Sequence, residues 1–258
     1  MWERATFTSG RPDIVASDVS KSATQVVEPA NGARAASPSD DAIAAGLRGF
    51  GPLGIAAILV ILLIGNYPFA PVSAILVLVW AWRSRTPWRE IGYVRPNSWI
   101  ASAAIGIVFG CAFKFLMKII VMPMLGAAPI NQAFHFLTGN RAALPGMMYA
   151  VIVGAGFGEE TIFRGYLFER FGKLFGPSLW AKTLIVLITS VWFGAEHYSV
   201  QGLAGAEQAT IVGLVYGTVL AVTSRIFVLM IAHAAFDVTA VAMIYWNLES
   251  KVAHLVFK

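Results

Sequence analysis

Residues 226–247, IFVLMIAHAAFDVTAVAMIYWN, decide the fold. The run meets the roughly 20 apolar residues that cross a hydrocarbon core, so it reads as a membrane-spanning helix. It also carries His233 and Asp237, which at i and i+4 share one helical face. A buried imidazole and carboxylate need partners, and a bond between the two leaves further polar valences open. The span therefore calls for polar neighbours inside the membrane, and the rest of the chain must supply them.

The composition agrees with a membrane setting. Of 258 residues, 57% are hydrophobic and 13% charged, against about 25% charged in soluble domains; the mean hydropathy is +0.69. Residues 1–50 differ, with five Lys/Arg against six Asp/Glu and no sustained apolar period. They read as a disordered polar tail without the basic-then-apolar pattern of a cleaved signal. Residues 51–258 hold 14 Lys/Arg and eight Asp/Glu. These cations lie in short loops between apolar runs, so they read as orientation signals rather than a nucleic-acid surface. Cys111, the only cysteine, lies in an apolar stretch and reads as a small buried residue.

Further apolar runs extend outward from 226–247. The sequence predicts short helices over 52–66 and 70–82, broken near Asn66-Tyr67-Pro68. A helix follows over 98–122, and another over 143–158. Residues 160–174 read as an amphipathic interfacial helix with Phe163, Leu167 and Phe171 on one face. Spans over 179–197 and 207–223 complete the set. The expected fold is all-α: a polytopic transmembrane bundle of about seven spans, with a polar active site near one membrane face. Its parts are the tail 1–50, N-terminal helices and connectors 51–142, a core 143–248 and a C-terminal tail 249–258. Alternating spans put Arg83, Arg85, Arg89, Arg95, Arg164, Arg170, Lys173, Lys182 and Arg225 on one side. That side is expected to be cytoplasmic, together with the N-terminal tail, in a multi-pass plasma-membrane protein.

Two more stretches carry ionisable residues at apolar run ends. In GFGEETIFRGYLFERF, residues 156–171, Glu160 and Arg164 are i, i+4 and can pair. Glu159 points about 100° from Glu160 on an α-helix, free for another task. An interfacial ion-pair cluster is the plain alternative. In VWFGAEHYS, residues 191–199, His197 follows Phe193 by one turn; a satisfied interfacial histidine is the plain reading. Lys114 and Lys118 in the 98–122 run are expected to snorkel to the interface, the alternative being to neutralise a buried carboxylate.

The ordered set E-E-x-x-x-R, F-x-x-x-H and H-x-x-x-D resembles the CPBP family, the membrane-embedded CAAX-processing and bacteriocin-immunity-related proteases (the Abi group). The resemblance covers about 143–240, and WREIGYVRPNSW at 88–99 looks like the polar connector before that family's core. It implies a peptide hydrolase in which Glu159 activates water while His197 and His233 polarise water or carbonyl. Glu160, held by Arg164, would fix the helix that presents Glu159, and Phe193 would support His197. Asp237 stands where CAAX-processing members often have asparagine. An ionised carboxylate cannot donate to an oxyanion, so Asp237 is either protonated or orients His233.

Zinc on His197, His233 and Asp237 is compatible with a three-ligand catalytic site, but the H-E-x-x-H spacing is missing and a metal-free or metal-optional site is favoured. The expected partners are the bilayer and a membrane-associated protein or peptide substrate, without nucleic acid. The rivals are a non-catalytic immunity, chaperone or scaffold protein of the same fold and a small transporter, which should show internal repeats that this chain lacks.

Overall fold

A computed structural model describes residues 38–65 and 69–257. Among them every regular element is helical. Helix α1, Pro38–Arg48, falls inside the stretch expected to be a disordered tail, and that expectation is corrected for these residues. Asp40 and Asp41 in its first turn suit the positive end of a helix dipole. What holds it is tertiary: Trp80 Nε1 donates to Leu47 O at 3.0 Å, Arg85 pairs with Asp41, and Ala44 is buried. A scan for local apolar period could not see partners contributed from more than thirty residues away.

Helices α2, Pro52–Ile64, and α3, Ala70–Arg83, begin with proline in the first turn, where its missing N–H costs nothing. The expected break at Asn66-Tyr67-Pro68 lies outside the described residues. A 3₁₀ turn, Trp88–Ile91, ends at Gly92, whose φ of 77° is left-handed. Helix α4, Trp99–Met124, starts at Ser98, whose side chain accepts from Ala101 N. A second 3₁₀ turn, Gln132–Leu137, precedes α5, residues 144–175. Helix α6 is Leu179–Thr223, capped by Ser178, α7 is Ile226–Tyr245 and α8 is Glu249–Ala253.

Helix α6 is a hairpin. Its 45 residues are interrupted at Gly202, with φ 65° and ψ −163°, a conformation that glycine adopts without a side-chain penalty. A Cβ on Gly213 would come within 2.9 Å of Ser190, one on Gly217 within 3.3 Å of Val186, and one on Gly194 within 2.7 Å of Ala206 O. The partner numbers fall as the glycine numbers rise, so the two arms, 179–201 and 203–223, run antiparallel. Glycines let their backbones approach closely, as small residues do between membrane helices.

Three helices among the described residues are long and apolar enough to cross a membrane: α4, α6 and α7, or four if the bent pair α1–α2 counts as one span. The expected seven crossings are a finer statement. At 1.5 Å per residue α2 is about 20 Å long, short of the ~30 Å hydrocarbon thickness. The outward faces are apolar: Ile100, Val108, Trp180 and Val222 are each at least 68% exposed. Such a surface suits lipid rather than water.

Helix α7 packs chiefly against α4 and α5, and α5 in turn against α3. Gly110 of α4 sits so close to α7 that a Cβ would lie 2.1 Å from Ala232 O; Gly156 of α5 would meet Met230 O at 2.9 Å, and Gly158 would meet Ala70 of α3 at 3.0 Å. One apolar core gathers Phe113, Met117, Tyr216, Leu229 and Phe236 from α4, α6 and α7. The other gathers Ile61, Val77, Trp80, Ile91 and Tyr166 from α2, α3, the first 3₁₀ turn and α5. The α5–α7 contact lies between them.

Three sequence expectations need correction here. Residues 160–166 do not begin an interfacial helix; they continue α5, and Glu160, Thr161, Ile162, Arg164 and Tyr166 are buried. Only Leu167–Phe175 has the strongly two-faced pattern expected. Arg164 and Arg170 are buried in pairs with Glu160 and Glu169, so they are not free loop cations. Lys114 and Lys118 do not snorkel outward: Lys114 donates to Gln208 Oε1 at 3.1 Å, and Lys118 to Pro129 O at 2.6 Å and Glu249 Oε1 at 3.1 Å. Cys111 is partly buried and accepts from Thr239 Oγ1.

Candidate active site

Helix α5 is α-helical over Leu144–Tyr149, π-helical over Ala150–Tyr166 and α-helical again over Leu167–Phe175. A π-helix closes i→i+5 hydrogen bonds, so each residue turns less than the 100° of an α-helix. Adjacent side chains then diverge less. Glu159 and Glu160 both face His233 of α7, where an α-helix was expected to send them apart.

Glu160 is fully buried, and its Oε1 accepts from His233 Nδ1 at 2.7 Å. An ionised carboxylate only accepts, so the Nδ1 proton is fixed on the Glu160 side and Nε2 turns the other way. Nε2 faces Glu159 Oε2 at 3.8 Å and Asp237 Oδ2 at 3.6 Å. Both separations exceed a direct hydrogen bond and fit one with a polar group between. Among the described residues Glu159 Oε2 has no hydrogen-bond partner.

Arg164 Nη1 lies 3.1 Å from Glu160 Oε1, off the axis of a hydrogen bond, so charge attraction carries the contact. Its guanidinium rests 4.4 Å above the Phe193 ring and 6.0 Å from that of Tyr216. One cation thus ties α5 to both arms of α6. Phe193 stands between the two imidazoles, 4.6 Å from His197 and 5.9 Å from His233 by ring centroid. His197 Nδ1 donates to Phe193 O at 2.8 Å, leaving Nε2 for another contact.

Glu159, His197, His233 and Asp237 all line one cavity of about 540 Å³, with Phe193, Trp192 and Gln208 among its other walls. That is within the usual range for small-ligand sites. Glu160 and Arg164 lie behind this wall. The structure therefore brings together all the residues singled out in the sequence, in two layers. Glu160 holds His233, a contact the sequence reading missed; it had seen only the i, i+4 partner Arg164. The missing signal is tertiary: His233 lies on another helix, 73 positions away, and residue spacing along one helix does not announce such a contact.

A second support comes from the 88–99 connector. Tyr93 Oη donates to Thr161 Oγ1 at 2.8 Å, and Thr161 Oγ1 donates to Phe157 O at 2.7 Å. Burial pushes the Tyr93 phenol up to about 12, with the Thr161 bond acting the other way, so it stays a neutral hydroxyl. Gly92 O accepts from Ile226 N at 3.0 Å, so the connector touches both α5 and the start of α7. Among the described residues no group of three His, Cys, Asp or Glu side chains is arranged to hold a metal ion.

Residues 141–239 match the family model described as Type II CAAX prenyl endopeptidase Rce1-like. The match spans α5, α6 and most of α7, and so every residue of the polar cluster except those of the Tyr93 connector. No curated protein and no solved structure matches the chain.

Proposed function

From the match of residues 141–239 to the Rce1-like CAAX endopeptidase family model, we propose that this integral membrane protein hydrolyses a peptide bond in a membrane-associated protein or peptide. The supporting observation is the setting of His233: Nδ1 is locked by Glu160, and Nε2 opens between Glu159 and Asp237 into the shared cavity.

In this reading a water sits between Glu159 Oε2 and His233 Nε2. Glu159 takes a proton from it as the new C–O bond forms at the substrate carbonyl. The resulting oxyanion is met by His197 as imidazolium and by Asp237 in its protonated form, since only donors stabilise it. Glu159 then passes its proton to the departing nitrogen as the C–N bond breaks. Glu160 is a positioning residue that fixes the ring of His233, and Arg164 balances its charge. In topology, α4, α5, the two arms of α6 and α7 cross fully and the shorter α2 and α3 complete the seven as partial crossings, with the arginine-rich 83–95 connector facing the cytoplasm.

The test uses protein purified in detergent and a library of short apolar peptides. Wild type should cleave a subset of them, and Glu159→Ala and His233→Ala should each lose at least 100-fold in kcat/KM. Equal turnover by all three proteins would end the protease assignment.

A further inference from the structure

Three carboxylates line the main cavity, and the proposed chemistry uses two of them, Glu159 and Asp237. The third is Glu196, on the first arm of α6 immediately before His197. Phe136, Tyr149, Glu196 and Val200 line the cavity and are also exposed, so they mark its mouth. Among the described residues on that wall, Glu196 alone is both charged and exposed.

Trp192, one turn earlier, holds it there. Its Nε1 donates to Glu196 Oε1 at 2.9 Å, and its ring meets that of Phe163 edge-on at 6.4 Å. An indole N–H fixes the direction of the carboxylate but supplies no charge. Among the described residues no Lys, Arg or His lies within ion-pair reach of Glu196. Val191 and Val200 on the same arm are 61% and 57% exposed, an apolar setting in which a carboxylate without a cation is costly. The mouth thus presents a fixed negative charge to whatever enters.

We propose that Glu196 is a specificity-determining residue whose carboxylate binds a cationic side chain, Lys or Arg, of the peptide substrate. The proposal rests on the protease reading for the identity of the ligand, and it adds a sequence preference to it. His197, which meets the oxyanion in that reading, is the next residue, with its Cα about 3.8 Å away. A substrate chain advances about 3.3–3.6 Å per residue, so the cation held by Glu196 lies within about three residues of the bond that breaks. Against an apolar wall such a pair is stronger than one in open water.

Binding to Glu159→Gln protein in detergent separates this from catalysis. Fluorescent peptides of one apolar sequence carry lysine, norleucine or glutamate, and the variable residue is walked along the chain. At one or two neighbouring positions lysine should bind about 5- to 20-fold more tightly than norleucine, and glutamate more weakly than either. Glu196→Gln keeps an oxygen for Trp192 and removes the charge, so it should bring the three peptides within about twofold of one another. Glu196→Lys should reverse the order, with the glutamate peptide the tightest.

Equal affinity for lysine and norleucine peptides at every position would overturn the proposal. So would a lysine preference that survives in Glu196→Gln, or a uniform loss across all three peptides in that variant, the mark of a carboxylate that only anchors Trp192. Absence of cleavage by wild type would refute proteolysis, whereas these affinities would still decide whether Glu196 selects a cation.

Discussion

Glu160→Gln separates the two adjacent glutamates by what each holds. The substitution keeps the shape of a side chain that is 0% exposed but removes its charge. Arg164 then keeps its contact with the Phe193 ring and loses the one carboxylate that, among the described residues, lies within ion-pair reach. Breaking a buried pair from one side costs about 3–5 kcal/mol, because the remaining charge stays buried. The glutamine oxygen can still accept from His233 Nδ1, so the 2.7 Å bond weakens from a charge-assisted to a neutral one, a loss of about 1 kcal/mol within that total.

For a chain of this size each kcal/mol moves Tm by about 2–4 °C, which gives a fall of about 6–20 °C. The assay is thermal unfolding of the detergent-solubilised protein, followed by intrinsic tryptophan fluorescence. Glu159→Gln is the control. Among the described residues its carboxylate has an oxygen with no hydrogen-bond partner and no ion-pair partner but the longer His233 contact, so its Tm should stay within about 2 °C of wild type. If Glu160→Gln melts with wild type, or if Glu159→Gln falls as far as Glu160→Gln, the division between a holding and a reacting glutamate is wrong.

Other outcomes follow from the same contacts. Tyr93→Phe removes one bond to Thr161, whose own donation to Phe157 O survives; it should cost about 0.5–1.5 kcal/mol and slightly lower kcat, read from thermal melts and peptide turnover. Gly110→Val would drive a side chain into the α7 backbone at Ala232, and it should strongly reduce the folded yield seen by size-exclusion chromatography. Prolonged chelation, with metal content measured on the same sample, should leave peptide turnover unchanged; a loss restored by added zinc would refute the carboxylate-and-imidazole chemistry proposed above.

The sequence made the long elements legible where local chemistry announces them. The apolar run over 98–122 placed α4, and the 226–247 run placed α7. The two arms of α6 were expected as separate spans, although the turn between them depends on Gly202, whose left-handed φ is not written in composition. Helix α1 was hidden because its partners, Trp80 and Arg85, are remote in sequence.

At the site, residue types and order were enough to select Glu159, Glu160, Arg164, Phe193, His197, His233 and Asp237. Their connections were not. Glu160 holds His233 as well as Arg164, a contact between helices 73 positions apart that no spacing along one helix displays. Burial was misjudged for Lys114, Lys118, Arg164 and Arg170 for one shared reason. A long cationic side chain looks the same in sequence whether it reaches outward to headgroups or inward to a buried acceptor.

Solvent access to the hollow around His233 is the most direct check on the whole account. In a Cys111→Ser background, Asp237→Cys protein in lipid vesicles is exposed to a charged, membrane-impermeant thiol reagent, with Val108→Cys on the outer face of α4 as reference. The account predicts that position 237 is modified, that a bound apolar peptide slows the modification, and that position 108 stays unreactive in lipid. Modification at 108 but not at 237 would contradict it, because water would then reach the outer face of α4 and not the place where hydrolysis is proposed.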